Sequence, residues 1–205
     1  MSADVVSARR LTLPDTVGAE RVAEVASRLG GEQVVVRQAD PEQDVPYQVE
    51  WQLGPFHLVY SEEQDSWAFR YLQLWGITDD LAELGSDLET VLEADLDAYR
   101  QSDLIAAVDD RSDPELRPWV LVLAGVGAPP RFDERFFTRI CAGLEDEEAI
   151  IRQASLYAIS WRPWSEYADP VARLLEREND PDVRGAATAL REGFFGPDRR
   201  QQDPR

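Results

Sequence analysis

The chain has 205 residues, 43% of them hydrophobic and 9% aromatic, enough for one large or two small cores and too much for global disorder. Its 40 acidic residues against 21 basic ones leave a net charge of −19, which argues against nucleic acid binding through a broad basic face and against anionic membranes. A single cysteine, Cys141, excludes an intramolecular disulfide, and no stretch holds the roughly 20 apolar residues of a membrane-spanning helix, so a cytoplasmic protein is expected.

Residues 1–16 read as a loose leader in which Val5, Val6 and Leu11 have some packing potential. A helix is predicted from Asp15-Thr16 onward, with Val22, Val25, Ala26 and Leu29 on one face and Gly30-Gly31 as its stop. The period then changes from 3.6 to 2. Gln33 to Arg37 is a short strand, and Asp40 to Asp44 a polar loop. Tyr47, Val49, Trp51 and Leu53 alternate with Gln48, Glu50 and Gln52. Gly54-Pro55 turns the chain into Phe56–Tyr60, and a polar turn from Ser61 to Ser66 leads to a third strand, Trp67–Leu72. Such short links make an antiparallel meander. Residues 1–78 are therefore expected to form a small α+β module, an antiparallel sheet with a helix.

From Asp79 the pattern is helical, with Leu81, Leu84, Leu88, Val91, Leu92 and Leu96 in step. A phrase then recurs: Asp113-Pro114-Glu115-Leu116-Arg117, Glu147-Glu148-Ala149-Ile150-Ile151-Arg152 and Asp180-Pro181-Asp182-Val183-Arg184. Its apolar residues Leu116, Ile151 and Val183 lie 35 and 32 residues apart. A period of this length signals stacked helix pairs. The predicted pairs are Ser102–Val108 with Pro114–Val126, Phe132–Leu144 with Ala149–Ile159, and Tyr167–Glu178 with Pro181–Phe194. Residues 79–196 form this helical part and 197–205 a polar tail. In each second helix the inward residues are expected to be Leu116, Val120, Leu123 and Ala124; Ile151, Ala154, Ala158 and Ile159; and Val183, Ala186, Ala187 and Leu190. Acidic residues at the turns cap these helices, proline at the first position loses no hydrogen bond, and alanines including Ala189 let paired helices approach closely.

The run Asp180-Pro181-Asp182-Val183-Arg184-Gly185-Ala186-Ala187 resembles the second helix of a HEAT-repeat unit. Ile151-Arg152-Gln153-Ala154 resembles it too, and Leu116-Arg117-Pro118-Trp119 is a weaker copy. The resemblance covers about residues 102–195. It implies a short α-solenoid of about three HEAT-like helix pairs, with Arg117, Arg152 and Arg184 near the acidic turn of a neighbouring unit. It does not extend to the N-terminal module.

No enzyme motif accompanies these patterns. His57, the only histidine, lies in a strand without a nucleophile-elbow sequence. One cysteine and one histidine cannot make a structural zinc site, the acidic runs lack the spacing of a calcium loop, and no glycine-rich phosphate loop is present, so no cofactor or metal is expected. Two aromatic groups are candidates for protein binding. Trp161, Arg162, Trp164 and Tyr167 crowd the link between the second and third repeats, where they read either as a binding hot spot or as a packed bridge. Trp51 and Trp67 belong to the sheet, where part of the aromatic set must fill the core. The expected function is a non-enzymatic, acidic protein-interaction module with a basic protein partner, acting as an adaptor, a regulator or an immunity-type inhibitor. The alternatives are an enzyme with a polar site in the N-terminal module and a structural subunit of a homo-oligomer.

Overall fold

The computed structural model describes residues 6–43, 45–64, 67–76 and 81–196. Val5, Asp44, Ser66, Asp79 and the polar tail 197–205 lie outside the described residues, as do the side chains of Leu81 and Leu84. Contacts divide the α+β chain into two compact units, 1–103 and 104–205.

The first unit contains β1 (Val6–Leu13), α1 (Ala19–Arg28), β2 (Glu32–Arg37), β3 (Tyr47–Leu53), β4 (Phe56–Glu63), β5 (Phe69–Gly76) and α2 (Leu81–Asp95). The strands form one antiparallel sheet in the order β1-β5-β4-β3-β2. Gly30, at φ 79°, ends α1 in the left-handed region, and its N–H donates to the Ser27 carbonyl. Gly54, at φ 60°, opens the two-residue hairpin between Leu53 and Phe56. The sheet's inward residues Leu11, Val49, Trp51, Leu58, Tyr60 and Leu72 join Val22, Val25 and Ala26 of α1 and Leu92 of α2 in one core.

The structure departs from the sequence reading at several points: α1 begins only at Ala19, and Ser61 to Glu63, expected in a turn, extend β4. Residues 6–13 are an edge strand rather than a leader, with Leu11 and Leu13 buried. A register shift between Ser7 and Arg10 breaks the period and leaves only Leu11-Thr12-Leu13 to show it. The last strand begins at Phe69, leaving Trp67 in the preceding turn, and runs on to Gly76. The units divide at 103/104 rather than at 78/79, because Leu92, Leu96 and Ala98 are buried in the sheet's own core.

In the second unit α4 (Arg117–Gly127), α5 (Glu134–Leu144), α6 (Ala149–Trp161), α7 (Ala168–Arg177) and α8 (Pro181–Phe194) follow one another. α5 packs on α6 and α7 on α8, while α4, α6 and α8 pack in sequence. The expected first pair is less regular. Its first helix, α3 (Gln101–Asp109), makes few contacts with α4. Pro118 explains the rest. Proline is tolerated only in a helix's first turn, so α4 starts at Arg117 and not at Pro114. Leu116 then stays 52% exposed, Val120 is only half-buried, and burial runs from Leu121 through Gly127.

Capping also varies between the copies. Asp180 accepts from the N–H groups of Asp182 and Val183 at the start of α8, with Pro181 following it. Glu148 before α6 and Leu116 before α4 make no side-chain cap. Of the alanines expected at helix contacts, Ala154, Ala158 and Ala187 are buried, Ala186 is half-buried and Ala189 is exposed.

Candidate functional site

The repeated arginines form a ladder across the turns of the second unit. Arg117 Nη2 donates to Asp146 in the next turn at 2.7 Å. Arg152 grips Glu178 in the turn after that, Nε at 2.7 Å and Nη2 at 2.9 Å, while its Nη1 donates to the carbonyls of Asp146 and Glu147. Glu178 also accepts the N–H groups of Asn179 and Asp180, so its carboxylate is fully engaged although the side chain is 3% exposed. The Arg152 guanidinium holds the Glu178 carboxyl down at about 2. For Asp146 burial acts upward, but the Glu148 N–H and Arg117 outweigh it and the carboxyl is held low.

Arg184 departs from the expected role. Its Nη1 donates to the carbonyls of Leu175 and Glu178 in its own helix pair. The reading of the sequence placed the arginines but not the acids they meet. Glu178 sits at the end of a charged helical run with nothing local to mark it as buried.

The aromatic link after α6 folds back on the segment before α5. Arg162 Nε donates to the Ala128 carbonyl at 3.1 Å and Trp164 Nε1 to the Pro130 carbonyl at 3.3 Å. Trp164 stacks on Tyr167 at 5.7 Å and meets Phe132 edge-on at 5.4 Å, and Phe137 lies 5.1 Å from Tyr167. Trp164 and Tyr167 are buried, whereas Trp161 and Arg162 are half-buried. Of the two readings of this group, packing holds for Trp164 and Tyr167: they fill the gap between successive helix pairs. Phe132, 44% exposed, is the apolar side chain this cluster offers to solvent, and sequence spacing did not single it out.

The Tyr167 hydroxyl is buried and has no hydrogen-bond partner among the described residues. Burial pushes its pKa up. Tyr167→Phe is therefore expected to stabilise the protein by about 1 kcal/mol, since it removes an unsatisfied polar group and keeps the ring. Urea denaturation of the two proteins checks this, and a loss of stability would mean that the hydroxyl has a partner after all.

In the first unit Trp51 is buried in the core and offers nothing to a partner, which corrects its place among the candidate binding residues. Its alternation with Gln52 showed the two faces of β3, but the docking of α1 decided which one is covered. Trp67 is half-buried in the turn before β5. His57 lies on the opposite sheet face, its Nδ1 2.6 Å from a Glu50 oxygen and its ring stacked on Trp75 at 4.0 Å. Both partners fix the ring in place. Cys141 is half-buried, and burial pushes its thiol up to about 11, which suppresses the thiolate that nucleophilic or metal chemistry needs.

No group of three or more His, Cys, Asp or Glu residues fit to hold a metal ion occurs among the described residues, and no described helix is long and apolar enough to cross a membrane. No family model, curated protein or solved structure matches this chain.

Proposed function

We propose that the protein is a non-enzymatic interaction module whose second unit, read as HEAT-like helix pairs, binds a basic protein partner along its acidic turns. One observation carries this reading. Four arginines of that unit are tied to the turns: Arg117, Arg152 and Arg177 bond across neighbouring turns, and Arg184 bonds within its own. The ladder holds the turns side by side, and their remaining carboxylates point outward. Asp110, Asp113, Glu115, Glu147, Glu148 and Asp182 are all exposed there, with Arg111 among them. A predominantly acidic rim steers an oppositely charged protein and speeds association. An adaptor and an inhibitor that plugs a basic active site both use such a rim. A chain with one cysteine suits a reducing, cytoplasmic setting.

The test is capture of partners from native lysate at low and high salt, followed by kinetics with the purified partner. Association is expected to slow on the order of ten-fold as salt rises through the range where the Debye length shrinks, and again in a Glu147→Lys/Glu148→Lys variant. A partner whose binding ignores both changes would count against the acidic rim.

A further inference from the structure

Strand β2 is an outer strand of the sheet, with no further strand paired to it among the described residues, and all six of its residues are exposed. Val34, Val35 and Val36 are 48%, 40% and 47% exposed, in a run without lysine or proline to discourage pairing. Such an edge presents an unpaired row of N–H and C=O groups.

The register of β2 on β3 adds a second observation. Glu32, Gln33, Val35, Val36 and Arg37 pair with Gln52, Trp51, Glu50, Val49 and Gln48, while Val34 is the extra residue at a register shift. Six residues of β2 thus occupy five ladder positions. Without the extra residue, Glu32 and Arg37 would point to opposite faces, since they stand an odd number of positions apart. With it, both share the face of Gln52 and Gln48, away from the core. The strand is thereby self-complementary. Turned antiparallel on itself, it sets Glu32 against Arg37 at one end and Arg37 against Glu32 at the other. Gln33 faces Val36, and Val35 faces its own copy at the centre.

We propose that β2 is the contact of a two-fold homodimer, in which a second copy of this chain adds its β2 antiparallel to the first and joins the two five-stranded sheets. The ends carry the register, because only this alignment pairs both charges and keeps each side chain on its own face. The net charge of −19 on each copy opposes association, so the dimer is concentration-dependent. This inference is independent of the acidic rim, which lies on the second unit.

The experiment is sedimentation equilibrium of the full chain over a concentration series, with Glu32→Arg, Arg37→Glu and the double variant. Each single change turns both end pairs repulsive and is expected to weaken the dimer roughly ten-fold, while the double variant restores opposite charges and recovers the wild-type constant within about three-fold. Both side chains are exposed, so the circular dichroism spectrum stays that of the wild type. A chain that is monomeric up to roughly 0.5 mM, or a dimer unmoved by the single variants or not rescued by the double one, overturns the proposal.

Discussion

Gly125→Val is expected to unfold the second unit or to cost it about 4 kcal/mol or more. A Cβ at Gly125 would stand 2.6 Å from the Ala158 Cβ and inside van der Waals contact of the Ala158 Cα and carbonyl oxygen. Backbone atoms cannot rotate away as a side chain can. To admit even a methyl group, α4 and α6 would have to separate by about 1 Å, which opens gaps along the most buried contact of the unit. Gly125→Ala acts in the same direction with a smaller loss, because alanine returns about 1 kcal/mol of helix propensity. Two controls separate this contact from a general effect of glycine. At Gly143 the nearest atom is the Ser155 hydroxyl, which can turn aside by giving up its bond to the Ile151 carbonyl, so Gly143→Ala costs less. At Gly185 nothing lies within 4 Å, so Gly185→Ala is expected to stabilise α8 by up to about 1 kcal/mol. Urea midpoints of the series provide the check. A Gly125→Ala protein as stable as the wild type would mean that the helices do not meet backbone to backbone.

Arg152→Ala is expected to cost about 3–5 kcal/mol, since it leaves the buried Glu178 carboxylate without its cation. The pH dependence carries the same interaction with a definite sign. Glu178 falls from 4.5 to about 2 on folding, chiefly through its hydrogen bonds from Arg152. A carboxyl lowered in the folded state contributes stability that is complete above pH 4.5 and is lost as the pH falls toward 2. The difference corresponds to about 3 kcal/mol. Unfolding free energies between pH 2 and 7 should therefore drop through that window in the wild type, and less steeply in Arg152→Ala. Equal slopes in both proteins would remove the ladder from the account. Replacing both partners with apolar residues should recover only part of the loss, because the N–H groups of Asn179 and Asp180 would lose their acceptor.

Much of the local structure was legible in the chain itself. The alternation from Tyr47 to Leu53 announced a strand with two unlike faces, and β3 has them. The spacing of Val22, Val25 and Ala26 marked the buried face of α1. The resemblance to HEAT-like units implied a place near a neighbouring acidic turn for the recurring arginines, and Arg117 and Arg152 do bond across neighbouring turns. β1 escaped because a register shift leaves it too little regular alternation to detect. The shift of α4 was visible in Pro118, whose ring sets where that helix starts, but the repeated phrase pulled the expected start to Pro114.

The candidate sites were less legible, for a reason of range. Trp164 looks like an exposed loop tryptophan until its indole finds the Pro130 carbonyl and its ring stacks on Tyr167. Glu178 looks like a solvated acid until Arg152 closes on it. Trp51 and Trp67 are alike as residues and differ only in what covers them.

By itself, then, the sequence determined the periods, the turns, the helix starts and the excess of negative charge, because these follow from backbone dihedrals, hydrogen bonds within a few residues and simple composition. Only the tertiary structure decided that Gly125 lies against Ala158, that Glu178 is buried, and that the register shift at Val34 sets Glu32 and Arg37 on one face. Each of these depends on residues from another element, and burial is a property of such pairs rather than of any one residue.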